Sequence, residues 1–541
     1  MVNSELWGLL LVILFNSCDC LEVETKLGKI IGEERTSRDG KTYYAFTSIP
    51  YAKPPLGKLR FKNPVKVERW EGVLEANKPL PLCIQIPSFI PSQRDKPVGQ
   101  EDCLYLSVFT PDVSPKQKMP VMIYVHGGGF RCGDAGPKNG ADNFMDENVV
   151  MVNFHYRLAA LGFLSTEDSL IPGNFGLKDQ AMALKWVYDN IDSFGGDGNK
   201  ITVFGESAGG ASTHYLATSP LTKHLLKGVI SESGVVNKYW SYGAPGTAKP
   251  LVEEVARKVG CGDKSDHELL DCLQAVDALK LIKVELDFLF WDFDPAVVFR
   301  PVQEPNTEGA FMPFDPLVEK IKLPWLTGVV ANEGILKTGS LLTQDSSVTQ
   351  DFIDNIDEFL PKLLYLNNSC PKVKKTSELL KNRYFPEPIT VESARQGLGD
   401  LYSDAFFIYP MGEAIRNHKR PLYQYYFDYR GANSLIDQWG DLKLGVSHAD
   451  ELLLLFNWKE KFPKISAQDE AVSKTLVNMW ANFARKQIPS SNGNTDWPDG
   501  SVTHEYLHIA DKFSIKKNLK KDIIDWWSEL PIYRSNVKSE L

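Results

Sequence analysis

The sequence has no surplus of positive charge: 60 Lys and Arg stand against 69 Asp and Glu, a formal net charge of −9. Binding a phosphate backbone needs a concentrated basic surface, so nucleic acid is set aside as a partner. Beyond the first residues, no apolar run approaches the ~18 that a membrane span requires. Eight cysteines are present, but they form no paired C-x-x-C or Cys/His spacing, so a metal site is not expected. Neither a fixed-period repeat nor a low-complexity tract is visible, which excludes solenoids and long linkers. The glycine triplet at 127–129 is not followed by G-K-[ST], which argues against a phosphate-cradling loop.

What is present is the balance of a globular protein, with 43% hydrophobic and 24% charged residues in a chain of 541. That length suits a single large α/β core with insertions, and nothing calls for separate domains. The apolar stretch Leu6 to Phe15, followed by Asn16, Ser17, Cys18 and Cys20, reads as a signal peptide over 1–20, although Glu5 stands where a basic residue is usual. The mature domain then covers 21–541 and enters the oxidising secretory pathway. Its six cysteines are Cys83, Cys103, Cys132, Cys261, Cys272 and Cys370. Six allow fifteen connectivities, so counting cannot choose. Closeness along the chain suggests Cys83 with Cys103 and Cys261 with Cys272, each contributing about 3 kcal/mol in the chain-entropy model. Cys132 and Cys370 are then expected to be buried, inert thiols.

Apolar runs of strand length occur at Val121 to Val125, Val149 to Phe154, Ile201 to Phe204, Gly228 to Ile230 and Leu326 to Ala331, and Leu422 to Tyr429 is a β-rich aromatic run. Between them lie helical patterns such as Leu177 to Asn190, where Leu177, Ala181, Leu184 and Val187 recur at helical spacing. The alternation predicts an α/β fold with a mostly parallel sheet and helices on both faces. The aromatic-rich stretch from about Pro250 to Pro316 is expected as an insertion over the carboxyl edge of that sheet.

The strand at 201–204 runs directly into Gly205-Glu206-Ser207-Ala208-Gly209-Gly210, with a helix following. G-x-S-x-G between strand and helix is the pattern of a nucleophilic serine on a tight turn, where the flanking positions have no room for side chains. Upstream, Val125-His126-Gly127-Gly128-Gly129-Phe130 also follows a strand. Consecutive glycines expose backbone N–H groups to an approaching carbonyl, as stabilising a tetrahedral oxyanion requires.

With these motifs stand Ser48-Ile49-Pro50-Tyr51-Ala52, Leu59-Arg60-Phe61, Glu101-Asp102-Cys103-Leu104-Tyr105-Leu106, Tyr156-Arg157, Leu161-Gly162-Phe163-Leu164, Gly173-Asn174-Phe175-Gly176-Leu177-Lys178-Asp179-Gln180 and Phe194-Gly195-Gly196-Asp197. In this order they make the chain resemble the type-B carboxylesterase and cholinesterase family, most of all its insect carboxylesterases. The resemblance covers nearly the whole mature length. It implies an α/β-hydrolase fold, an oxyanion hole from the backbones of Gly128, Gly129 and Ala208, and disulfides Cys83–Cys103 and Cys261–Cys272.

A serine hydroxyl needs a histidine to accept its proton, and the imidazole needs a carboxylate. In α/β-hydrolases the order along the chain is serine, acid, histidine. Of nine histidines, His418, His448, His504 and His508 come late enough. His418 lies in the charged run Asn417-His418-Lys419-Arg420 and is expected on the surface; His504 and His508 have no glycine loop to present them. His448, in Gly445-Val446-Ser447-His448-Ala449-Asp450-Glu451, has the form of the family's histidine motif. Glu333 closes the strand ending at Ala331, beside Gly334, and resembles the family's acid. Asp450 competes by proximity but reads as a capping or supporting group. Glu206 is expected to line the pocket as a hydrogen-bonded carboxylate.

The chemistry implied is acyl transfer from an ester to Ser207 and hydrolysis of the acyl-enzyme, with no cofactor. Phe288-Leu289-Phe290-Trp291-Asp292-Phe293 with Phe299 resembles the family's acyl-pocket segment and reads equally as aromatic core. The family's choline esterases hold a quaternary ammonium on a tryptophan inside the first disulfide loop, and none lies between Cys83 and Cys103. The expected substrate is therefore a general or lipophilic ester, with xenobiotic, pheromone and hormone esters among the options. Gly205-Glu206-Ser207 also departs from the glutamine form usual in juvenile-hormone esterases. A non-catalytic adhesion relative is the rival class, but such relatives usually lose the serine and carry a membrane span. Asn367-Asn368-Ser369 is a glycosylation sequon, and Lys538-Ser539-Glu540-Leu541 resembles an endoplasmic-reticulum retention signal, leaving secretion and lumenal retention both open.

Overall fold

The computed structural model describes residues 21–532 except 88, 136–139, 367–369, 417, 441 and 492–495. The expected signal segment 1–20, the sequon at Asn367 and the terminal Lys538-Ser539-Glu540-Leu541 lie outside the described residues. In chain order the strands begin with β1 (Glu22–Thr25), β2 (Gly28–Ile31), β3 (Glu33–Thr36), β4 (Thr42–Pro50) and β5 (Val73–Glu75). They continue with β6 (Tyr105–Thr110), β7 (Met119–Val125), β8 (Val150–Phe154), β9 (Gly196–Glu206) and β10 (Leu226–Glu232). The last are β11 (Trp325–Val330), β12 (Leu422–Phe427), β13 (Glu505–Ile509) and β14 (Ser514–Lys517). Among the described residues, β1, β2 and β5 form a small sheet and the other strands one large sheet ordered β14-β13-β12-β11-β10-β9-β7-β8-β6-β4-β3.

From β8 through β7, β9, β10, β11 and β12 to β13 every pairing is parallel; antiparallel strands close both edges. The buried runs fit this, because only a strand covered on both faces is apolar throughout. Alternate residues divide between the two faces. Val121, Ile123 and Val125 join one core while Met122 and Tyr124 join the other; Val229 and Ile230, and Val329 and Val330, split in the same way. The helix Phe175–Asn190 covers the first face through Leu177, Ala181, Leu184 and Val187. The helix Ala467–Lys486 covers the second through Leu476, Val477, Trp480 and Phe483.

Parallel pairing brings the carboxyl ends of β7, β9, β11 and β12 to one edge, which is where open α/β sheets place their sites. Helices at Lys249–Val259, Asp266–Ala275 and Ala278–Lys283 precede a loop that reaches over this edge, as the aromatic-rich insertion predicted. Cys83–Cys103 and Cys261–Cys272 are the disulfides. Cys370 is exposed, contrary to expectation, because it caps the start of the surface helix Pro371–Tyr384.

The quoted motifs turn out to be joints. Arg60 forms a fork with Glu101 at 2.8 and 2.7 Å and donates to Leu273 O and Gln274 O, tying the first disulfide loop to the residues that directly follow the second. Arg157, after β8, forks onto Asp179 of the helix Phe175–Asn190 at 2.7 Å twice, and its backbone N–H adds a third bond at 3.0 Å. Both partners are buried. Removing one member of such a pair strands the other, which costs about 3–5 kcal/mol. Asp179→Ala should therefore lower unfolding stability by that amount in equilibrium urea titration, while removal of the exposed Lys29–Glu22 pair by Lys29→Ala should leave the transition where it is.

Candidate active site

β9 ends at Glu206 and the helix Ala208–Thr218 starts at the residue after Ser207, leaving Ser207 in the turn at φ 59°, ψ −122°. That region costs a non-glycine residue about 1–3 kcal/mol. The turn is held by Ser207 N–H donating to Glu232 O at 2.8 Å and Ala211 N–H donating to Ser207 O at 2.9 Å. The flanking glycines are explained by packing. A Cβ on Gly209 would stand 2.0 Å from Val125 O, and one on Gly205 2.5 Å from the same oxygen. The turn is thus pressed onto the end of β7, from which the glycine triplet continues. A Cβ on Gly127 would stand 3.0 Å from Ser207 Cβ, so Gly127, Gly128 and Gly129 run directly beside the serine, with Ala208 opening the helix.

Glu333 follows β11 and is fully buried; its Oε1 accepts from Val330 N at 2.9 Å. His448 follows β12 by way of a long loop. Asn332 N–H donates to Val446 O, and Asn332 Oδ1 accepts from Val446 N, so the histidine loop is paired to the residue beside Glu333. Glu333 Oε2 then meets His448 Nδ1 at 2.6 Å, across 115 residues of sequence. Asp450 is buried and accepts from Ser447 N, Ser434 Oγ and Leu435 N, each at 2.8 Å, which shapes the loop in front of His448. Burial pushes its carboxyl up to about 7 despite these bonds. It is a supporting group, as its position in sequence suggested.

Ser207 and His448 line one cavity of about 290 Å³ together with Gly128, Gly129, Glu206 and Glu333. The group at His448 Nε2, however, is Glu206 Oε1 at 3.0 Å, and among the described residues no hydrogen bond joins Nε2 to the Ser207 hydroxyl. The imidazole lies between two carboxylates, with the Phe407 ring 4.6 Å away. Burial opposes its cation, but Glu206 and Glu333 outweigh burial and raise its pKa well above 6.5. Two further buried carboxylates lie behind. Glu232 bonds to Trp480 Nε1 and is pushed up to about 8 by burial; Glu451 accepts from Tyr425 OH at 3.2 Å and is raised further by burial and by Glu206, Glu232 and Glu333.

The other histidine candidates lie elsewhere. His508 is in β13 against Asp428, and His504 is in an exposed turn. His418 is not on the surface: it is buried edge-on against Trp325, because the chain turns inward there before β12. Cys132 is half-buried and lines the cavity, with Sγ 3.6 Å from Gly128 O, so it does not lie in the core as expected. The aromatic run divides. Phe293 lines the cavity with Ala296 and Val297, whereas Phe288 packs on Phe299 and Trp291 on Phe352. Trp240, Tyr402, Phe406, Phe407 and Trp439 also line it and carried no motif. Among the described residues no group of three or more His, Cys, Asp and Glu is placed to hold a metal ion, and no helix is long and apolar enough to cross a membrane.

Comparison with known proteins agrees with this geometry. The model of the carboxylesterase family matches residues 19–527. A juvenile hormone esterase of Tribolium castaneum is 34% identical, with 94% of this chain and 93% of that protein covered. Venom carboxylesterase-6 of Apis mellifera is also 34% identical over 94% of each chain, and a carboxylic ester hydrolase of Bombus ignitus is 33% identical over 96% of this chain and 95% of its own. With a strained serine, a carboxylate-bound histidine and a glycine loop around one cavity, and relatives matched along more than nine-tenths of their length, the chain belongs to the carboxylesterase family and is a hydrolase of carboxylic esters.

Proposed function

We propose that Ser207 is the nucleophile, His448 the general base and acid, and Glu333 the carboxylate that orients His448 and offsets its charge. The observation that carries this reading is the 2.6 Å contact of His448 Nδ1 with Glu333 in the cavity that Ser207 also lines. In its neutral form, with the Nδ1 hydrogen directed to Glu333, the imidazole is left with a basic Nε2. That nitrogen takes the Ser207 proton as Oγ attacks the ester carbonyl, and returns it to the departing alcohol. The backbone N–H groups of Gly128, Gly129 and Ala208 bind the oxyanion, and water with the same histidine then releases the acid. Apolar walls from Phe293, Val297, Phe406, Ile436 and Trp439 support lipophilic esters as the substrate class. The two disulfides fit a secretory route.

The position of Glu206 adds a condition. While His448 is an imidazolium it is clamped by both carboxylates, and Nε2 is not available to the serine. Attack requires loss of that proton and replacement of Glu206 by the Ser207 hydroxyl at Nε2.

Ser207→Ala should reduce kcat for p-nitrophenyl acetate by about 10⁴- to 10⁶-fold, as removal of a serine nucleophile does; equal rates for variant and wild type would end the assignment. Because the folded pKa of His448 lies above its unfolded value, the clamp stabilises the fold fully below about pH 6.5, and this contribution is lost as pH rises through the folded pKa. Activity runs in the opposite sense. kcat/KM should rise with pH through an inflexion above the usual histidine range, and Glu206→Gln should move the inflexion down; an inflexion that stays in place would show that Glu206 does not set it.

A further inference from the structure

Lys337 has no role in the chemistry above, yet it is completely buried four residues beyond Glu333, on the helix Ile335–Leu342. Its ammonium lies 2.6 Å from Asp292 Oδ2 and 2.6 Å from Asp294 Oδ2. The ring centroids of Trp291 and Phe293 are each 4.0 Å away, within the range of a cation–π contact. Asp294 Oδ1 accepts from Tyr402 OH at 2.5 Å, and Asp292 also receives Arg94 and Gln344 Nε2. Burial works against the Asp292 charge, but Lys337 and Arg94 outweigh it and hold the carboxyl at about 2. At Asp294 burial prevails and raises the carboxyl, so its charge depends on the Lys337 ammonium and the Tyr402 hydroxyl that oppose burial. Two carboxylates thus face two cations.

A buried ion cluster contributes little net stability over an apolar group of the same volume, but it is satisfied in only one arrangement. What it arranges here is the wall of the ester cavity. Phe293, between the two aspartates, lines that cavity; so do Leu336, next to Lys337, and Tyr402, bonded to Asp294. Arg94 belongs to the first disulfide loop, which adds Phe89, whose ring is 5.3 Å from that of Phe293. Four chain segments are thus joined through one buried cluster, with Lys337 and Arg94 on Asp292 and Lys337 and Tyr402 on Asp294, and each puts Phe89, Phe293, Leu336 or Tyr402 into the cavity.

We propose that Lys337 is the positioning residue that fixes the width of the ester cavity and thereby the length of aliphatic chain the enzyme accepts, a proposal that rests on the serine-esterase reading. With the ammonium in place the wall cannot recede, because moving Phe293 outward would pull Asp292 and Asp294 off their only buried cation besides Arg94. Among lipophilic esters the enzyme then discriminates against long acyl chains more than it would with a wall free to recede. A hydrophobic pocket discriminates by about 10–200-fold per methylene, so a small displacement of the wall is measurable as a change in selectivity.

The test compares kcat/KM for p-nitrophenyl acetate, butyrate and octanoate in wild type, Lys337→Met and Tyr402→Phe, with active sites counted by stoichiometric reaction with diethyl p-nitrophenyl phosphate. Lys337→Met should raise the octanoate-to-acetate ratio about tenfold or more, chiefly through a lower KM for octanoate. Tyr402→Phe, which takes away one bond to Asp294 and no charge, should raise it in the same direction by a smaller factor. The ratio does not depend on how much of a preparation is folded, so a purely structural role would leave it unchanged. Should Lys337→Met not accumulate as folded enzyme, the Tyr402→Phe ratio decides. Ratios within about twofold of wild type in the folded variants, or an equal loss for all three esters, overturn the proposal. A wild type that does not take up phosphate on Ser207 would instead remove the serine reading, and this proposal with it.

Discussion

The contact between His448 Nδ1 and Glu333 Oε2 joins two residues 115 positions apart, with Glu333 fully buried and His448 facing the cavity. Nothing local could hold it. It depends on β11 and β12 being parallel neighbours in register, so that their carboxyl ends arrive together, and on the backbone bonds between Asn332 and Val446 that continue the pairing past the strand ends. The same sheet order places β9 and β7 on the other side of β10, and so sets the serine turn against the glycine loop. The sheet is the means by which four loops converge; crossover connections make it parallel, and the helices in them cover both faces, which is why its strands are apolar throughout.

Charge in the interior is distributed by purpose. Arg60–Glu101 and Arg157–Asp179 are forked pairs that fasten layers. Around His448 the balance is one-sided: Glu206 and Glu333 hold the imidazole between them, and Glu232 and Glu451 act on those carboxylates rather than on the ring. Burial is the main reason that the Glu232 and Glu451 carboxyls are raised, with neighbouring carboxylates adding to it, while Glu206 and Glu333 together raise His448. The third arrangement, Lys337 and Arg94 with Asp292 and Asp294, is balanced and faces the cavity wall rather than the reacting atoms. Structure, proton affinity and pocket shape are served by three separate sets of ions.

Legibility varied with how local the governing physics was. The six apolar runs correspond to β7 through β12, because a strand buried on both faces needs no tertiary information to be read. The edge strands β3 and β14, and β13 beside β14, were not legible: their half-exposed residues carry no continuous apolar signal, and Glu505–Ile509 looks like loop until β12 is beside it. His418 was misplaced for the converse reason. Its neighbours are charged, and only the approach of Trp325 from another strand buries it. In the run 288–293 the alternatives core and pocket were both true of different side chains, since one loop turns Phe293 toward the cavity and Trp291 away from it.

By itself the sequence determined whatever steric exclusion enforces between near neighbours: the serine turn, where Gly205 and Gly209 leave room only for the Val125 backbone, the glycine triplet, and the buried strands that lead into both. The tertiary structure alone decided which charges face one another. Glu206 rather than the serine hydroxyl at Nε2, Glu232 and Glu451 behind the histidine, and Lys337 behind the cavity wall all bring together groups from different segments. Coulomb energy and desolvation depend on distance in space and on exclusion of water, and neither quantity is written in the order of residues along a chain.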